Sequence, residues 1–160
     1  ELTATVPEII MVDESLTTLA QAKELIERKA CNAFNIRLSK VGGLVSAINM
    51  VELANQNQIE CHLGAQVGES GILVAAQRHF ALAYNGFANV EGAMNLFLLK
   101  GDLVKEAMTV PYGAKAKAPV ADGLGVSVNE QAVARHLYDY KNHYNLNVSA
   151  SEKSESNATR

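Results

Sequence analysis

Asp13 and Glu14 are the first residues of this chain with the chemistry for a site. They end an apolar run, Ile9-Ile10-Met11-Val12, and stand just before an amphipathic stretch. Four apolar residues in a row read as a parallel strand buried on both faces. Carboxylates at the C-terminal end of such a strand lie where α/β proteins build their sites. Carboxylates so placed can also do no more than cap the next helix. A second polar set comes from Ala33-Phe34-Asn35-Ile36-Arg37-Leu38-Ser39, where Phe34, Ile36 and Leu38 alternate with Asn35, Arg37 and Ser39. In a half-exposed strand the polar set would face water; in a closed barrel it would face the interior, toward the mouth.

These residues need elements to hold them. Thr18 and Gln21 have capping-box spacing, and Leu19, Ala22, Leu25 and Ile26 recur at helical intervals, so a helix is predicted over residues 18–30. Lys40-Val41-Gly42-Gly43 ends the second strand. The helix after it carries Leu44, Ala47, Ile48, Val51 and Ala54 on one face. A third strand, Ile59 to Gly64, leads through a loop to Glu69 and a helix whose inner stripe is Ile72, Ala75, Ala76, His79, Phe80 and Ala83. Strand starts at Ile9, Phe34 and Ile59 are about 25 residues apart, a repeat suited to a (β/α)8 barrel. A weaker fourth unit begins at Gly86. Beyond residue 95 the pattern breaks, with a short strand expected over Val104 to Val110 and a short helix ending at His136.

The 160 residues are 48% hydrophobic and 19% charged, with a net charge of -3, as in an ordinary globular protein. A slightly acidic chain without a basic stripe has no footing on nucleic acid. No apolar run approaches the roughly 18 residues of a membrane span, and no leader pattern is present. No nucleic-acid or membrane partner is expected, and the expected location is cytoplasmic. Cys31 and Cys61, in or beside apolar strands, read as free core thiols. The chain opens at Glu1 without a Met, in a loop-like stretch to Pro7, and so is expected to be part of something longer.

Four segments in order, Val12-Asp13-Glu14-Ser15, Asn35 to Gly43, Gly64 to Ile72 and Ala118 to Val126, resemble the C-terminal half of the enolase superfamily. The closest likeness is to its muconate-lactonizing-enzyme and mandelate-racemase-like branches, from about Pro7 to His136. The resemblance implies an α/β fold, the C-terminal half of a TIM-like (β/α)7β barrel, with a final segment returning toward a capping domain. It implies Mg2+ held by three carboxylates at consecutive strand ends, supporting the enediolate formed when a base removes a proton α to a carboxylate. By that likeness Asp13 is the third metal ligand, a hard oxygen donor of the kind Mg2+ takes, and Glu14 a supporting or capping group. Arg37 stands where the family usually has an acid/base lysine. An arginine is effectively always protonated. The substitution therefore argues against two-base racemisation and for a one-base cycloisomerisation or β-elimination of water. Arg37 can donate a forked pair of bonds to a carboxylate or enediolate, or form an internal salt bridge with Asp13 or Glu14. Glu69 matches an acidic residue near the substrate, as a proton donor or a holder of a substrate group, and could equally cap the helix starting at Ser70. Asn35 and Lys40 are candidate substrate-binding residues; Lys40 could also substitute for the missing lysine, although, past the strand end, it is expected to face solvent. His62 is expected to pack in the interior and His79 to be structural.

Residues 1–94 are thus expected to hold four βα-type units, 95–148 a closing segment and C-terminal helix, and 149–160 a disordered tail. A complete barrel takes about 200 to 250 residues, so the other two ligands and a base on the second strand would lie upstream. The expected partners are a small carboxylate substrate, the N-terminal barrel half with its capping domain, and further copies in a homo-oligomer. The expected whole is a Mg2+-dependent lyase or isomerase, muconate-cycloisomerase-like or acid-sugar-dehydratase-like, in which Asp13→Asn abolishes activity with little loss of fold. This segment alone is expected to be inactive. The other reading is a non-catalytic half-barrel or a homologue that has lost catalysis.

Overall fold

The computed structural model describes residues 2–110 and 115–136. Tyr138, Tyr140, Tyr144, the closing segment beyond His136 and the tail from residue 149 lie outside the described residues.

Strands β1 (Met11–Val12), β2 (Ala33–Ile36), β3 (Glu60–Leu63) and β4 (Asn89–Val90) form one parallel sheet in the order β1-β2-β3-β4. Helices α2 (Leu19–Glu27), α4 (Leu44–Gln56) and α5 (Gly71–Ala83) make the crossovers. Sequential parallel neighbours joined by helices make an arc of a barrel. The core lies between sheet and helices. Phe34, Ile36, Cys61 and Leu63 face outward from the arc and pack against Ala22 of α2, Ala47, Met50, Val51 and Ala54 of α4, and Phe80 of α5. By the period of two, Asn35 and His62 point to the opposite, inner face, where they are register partners.

The start of α2 is built as its sequence predicts. Gln21 N donates to Thr18 Oγ1 at 3.2 Å and Thr18 N donates to Gln21 Oε1 at 3.1 Å, a reciprocal capping box. Thr18→Ala is expected to lower stability by about 1 kcal/mol, read from the denaturant midpoint at constant slope.

Other expectations are corrected. The stretch before Pro7 is not a loop: Leu2–Thr5 forms a one-turn helix, α1. The run from Ile9 is not a strand buried on both faces: only Met11–Val12 is strand, Ile9 is 58% and Met11 45% exposed, and among the described residues β2 is the one neighbour of β1. Strand β2 stops at Ile36 rather than Ser39, and Leu38–Val41 forms a one-turn helix, α3. Leu38 and Val41 are both buried; their spacing of three puts them on one helical face, so an apolar Leu38 suits either conformation. On α5 the buried stripe is rotated: Val74 and Gln77 are buried, while His79 is half-buried and Ala83 exposed. Gln77 is drawn inward because its Nε2 donates to the Gly64 carbonyl at 3.0 Å. Val104 to Val110 is not a strand; it contributes one antiparallel bridge, Val104 to Val128. Two short helices, α6 (Asn95–Leu98) and α7 (Glu130–Arg135), complete the described chain.

Candidate active site

The site forms where β1 and β2 end. After Ile36 the chain turns at Arg37 into α3, which is closed by Gly42 at φ 86°; Gly43 follows at φ 99° and opens α4. Both angles lie in the region that glycine enters without a Cβ penalty. This single turn swings Lys40 back over the ends of the strands.

Asp13 is the hub. Lys40 Nζ donates to Asp13 Oδ1 at 2.5 Å. Asn35 Nδ2 donates to Asp13 Oδ2 at 3.2 Å, and Arg37 Nη2 pairs with the same oxygen. Arg37 Nη1 reaches Gln66 Oε1 at 3.4 Å and lies 3.9 Å from Glu14 Oε1. The Lys40 and Arg37 side chains are only 9% and 18% exposed, and that of Asp13 is 21%. Gly64 makes room for them. A Cβ at this position would meet Asn35 Oδ1 at 2.2 Å and Arg37 Cγ at 3.0 Å. Two buried polar atoms of the cluster, Asn35 Oδ1 and Arg37 Nε, have no hydrogen-bond partner among the described residues.

The structure therefore brings Asp13, Asn35, Arg37 and Lys40 together. Of the two readings for Arg37, its side chain is engaged in the internal salt bridge to Asp13. Lys40 does not face solvent, contrary to expectation, because α3 replaces the predicted strand end and turns its ammonium inward. Glu14 is exposed, at the rim. Glu69 is buried and accepts from Ser39 Oγ at 3.2 Å. It does not cap α5. The amide of Gly71 instead donates to Asp102 Oδ1 at 2.7 Å, and Asn95 Nδ2 holds the other Asp102 oxygen at 2.8 Å. His62 is half-buried on the inner face, its Nε2 2.6 Å from Glu60 Oε1. His79 is half-buried on α5 and stands apart from the cluster. Both cysteines are free and buried. Burial, with the Glu60 charge, pushes the Cys61 thiol up to about 11, so it is no nucleophile at neutral pH.

Sequence reasoning missed Gln66, Glu91 and Asp102. Glu91 Oε2 accepts from the Ala65 amide at 2.9 Å and so ties β4 to the loop after β3. Gln66 lies inside a recognisable segment, and its polarity beside Gly64 was the available signal. Asp102 lies where periodicity has already failed.

The profile of the family described as enolase C-terminal domain-like matches residues 1–132. The chain belongs to the enolase superfamily. Muconate cycloisomerase 1 of Rhodococcus opacus is 34% identical over 133 residues, covering 83% of this chain and 35% of that protein. N-succinyl-L-Arg/Lys racemase of Bacillus cereus is 30% identical over 124 residues, covering 78% of this chain and 32% of that protein. Among solved structures, 2-chloromuconate cycloisomerase from Rhodococcus opacus 1CP superposes with a TM-score of 0.73 at 28% identity, over 86% of this chain and 37% of that one. A dipeptide epimerase from Cytophaga hutchinsonii, complexed with Mg and the dipeptide D-Ala-L-Val, also gives 0.73, at 26% identity, over 84% and 36%. This enolase-superfamily chain thus spans about a third of the length of the relatives it matches.

The donor set can be tested for Mg2+, the ion that accompanies the Cytophaga enzyme. Both Asp13 oxygens already face cations, and no three His, Cys, Asp or Glu side chains gather as a metal-binding group among the described residues. Mg2+ takes six oxygen donors and needs charge compensation. The described residues do not make a Mg2+ site by themselves; Asp13 has the chemistry of one ligand. No helix among them is long and apolar enough to cross a membrane.

Proposed function

We propose that this chain is the C-terminal barrel half of an isomerase or lyase that removes a proton α to a carboxylate. The observation that carries the reading is Asp13 at a parallel strand end, held by Lys40, Asn35 and Arg37 and facing the inner side of the arc. In the complete protein Asp13 would supply one oxygen to Mg2+, and the other carboxylates and the base would come from residues outside this sequence. Mg2+ would supply positive charge for the developing enediolate.

The residues present do the rest. A guanidinium is a poor proton acceptor, so the base is not Arg37. Arg37 holds the substrate carboxylate or the developing negative charge through Nη1, the nitrogen that lies 3.9 Å from the exposed Glu14 at the rim. Asn35, 2% exposed, acts on the site through Asp13, to which its Nδ2 donates. Glu69, buried behind Ser39, is the candidate proton donor. With an arginine in the lysine position, a one-base cycloisomerisation or elimination fits better than two-base racemisation. The relatives' names suggest the first compounds to try: cis,cis-muconate, N-succinyl-L-arginine and L-Ala-L-Glu.

A non-catalytic homologue is the second reading, favoured by the Arg37–Asp13 ion pair. Mg2+ titration separates the two. A ligand that binds the folded state at a hundred times its Kd stabilises by about 2.7 kcal/mol. The thermal midpoint of the full-length protein is expected to rise with millimolar Mg2+, and that of residues 1–160 alone is not. A flat response in the full-length protein would favour the non-catalytic reading.

A further inference from the structure

Lys40 is the cation of the site with no capacity left for substrate. An ammonium has three N–H donors. Its Nζ lies 2.5 Å from Asp13 Oδ1, 2.5 Å from the Asp13 carbonyl oxygen and 3.0 Å from the Asn35 carbonyl oxygen. Every donor is therefore spent inside the protein, on a side chain that is 9% exposed. The three acceptors belong to two strand ends. Asp13 follows the last residue of β1, and Asn35 is the penultimate residue of β2. One nitrogen fixes the carboxylate relative to its own backbone and ties that backbone to the neighbouring strand. The Asp13 carbonyl also accepts the Leu16 amide at 2.9 Å, so the same grip holds the turn leading to α2.

We propose that Lys40 is a positioning residue: its three-way grip at the junction of β1 and β2 aims the Asp13 carboxylate into the barrel. This rests on Asp13 being a site residue of the complete enzyme. Lys40 is then neither a base nor a substrate contact. The grip also explains why a lysine and not an arginine stands here. A planar guanidinium spreads its donors over a fork and cannot direct three of them from one nitrogen.

The test uses the full-length protein with Lys40→Met and Lys40→Arg. Hydrogen exchange needs no substrate: the Leu16 amide is expected to exchange about tenfold faster in both variants, with the α4 amides unchanged. Unchanged Leu16 exchange would overturn the grip. In steady-state kinetics both variants are expected to lose about 10- to 100-fold in kcat, with KM within about twofold of wild type. A rise in KM at constant kcat would make Lys40 a substrate contact, and full rescue by Lys40→Arg would make its charge alone sufficient; either overturns the proposal. Should Lys40→Met fail to fold, Lys40→Arg, which keeps the charge, decides both readouts. Asp13→Asn measured in parallel separates the two levels. An active Asp13→Asn enzyme overturns the proposed function. An inactive one beside a fully active Lys40→Met overturns only the positioning role.

Discussion

Asp13→Asn in the full-length protein is expected to lower kcat/KM by about a thousandfold or more, from loss of several kcal/mol of charge stabilisation at the reacting centre. The same change should cost stability, and here the structure alters the expectation of little loss of fold. Asp13 is the shared counter-ion of Lys40 and Arg37, which are 9% and 18% exposed. An amide in its place leaves two poorly solvated cations facing each other without a carboxylate between them. Removing one partner from such a set costs about 1–3 kcal/mol, through desolvation left uncompensated. Chemical denaturation should therefore show a lower midpoint with an unchanged slope, while the folded fraction at room temperature stays near unity. Activity lost with the fold retained marks a functional carboxylate; wild-type activity would remove Asp13 from the site.

Gly64→Ala is expected to damage the same site from the neighbouring strand. The new Cβ would stand 2.2 Å from Asn35 Oδ1 and 2.8 Å from its Cγ, well inside contact distance. Asn35 is 2% exposed and cannot step into solvent. The amide must swing, its bond to Asp13 is lost, and Arg37, whose Cγ is 3.0 Å from the new atom, is pushed as well. Overpacking of this kind costs about 1–3 kcal/mol, and a displacement near 1 Å at a reacting group costs about a hundredfold in rate. Gly64→Ala should thus lower kcat by about that factor while reducing the thermal midpoint by several degrees. A variant with wild-type kcat would mean that Asn35 and Arg37 do not report to the chemistry.

What could be read from the residues was the repeating, short-range part of the design. The capping box at Thr18 and Gln21 depends on four consecutive residues, and α4 on a plain apolar period. The parallel strands followed from apolar runs at even spacing, and the family from segments that keep their order. What could not be read depends on contacts between distant residues. The alternation through Phe34, Ile36 and Leu38 fits a strand and equally a strand followed by one helical turn; only the packing of Leu38 and Val41 decides. That ambiguity displaced Lys40 from the site to the solvent. Gln77 is absent from the apolar stripe read for α5, because its burial depends on the Gly64 carbonyl, a partner 13 residues away. Asp102 caps α5 from 31 residues away, so no local signal could have transferred that task from Glu69. The exposed Ile9 and Met11 show the converse: an apolar run reports hydrophobicity, not the neighbours that would bury it, and among the described residues β1 pairs with β2 on one side.

The central claim is proton removal next to a carboxylate at a centre built around Asp13. Its most direct test is isotope uptake at the α carbon, followed by NMR in D2O with Mg2+, for the full-length wild type and Asp13→Asn. The compounds are L-Ala-L-Glu, N-succinyl-L-arginine and the lactone formed from cis,cis-muconate. The expected result is deuterium at the carbon beside the carboxylate in at least one of them with wild type, and none above background with Asp13→Asn. Turnover of one of these compounds with the α hydrogen fully retained, or deuterium uptake at the wild-type rate in Asp13→Asn, would contradict it.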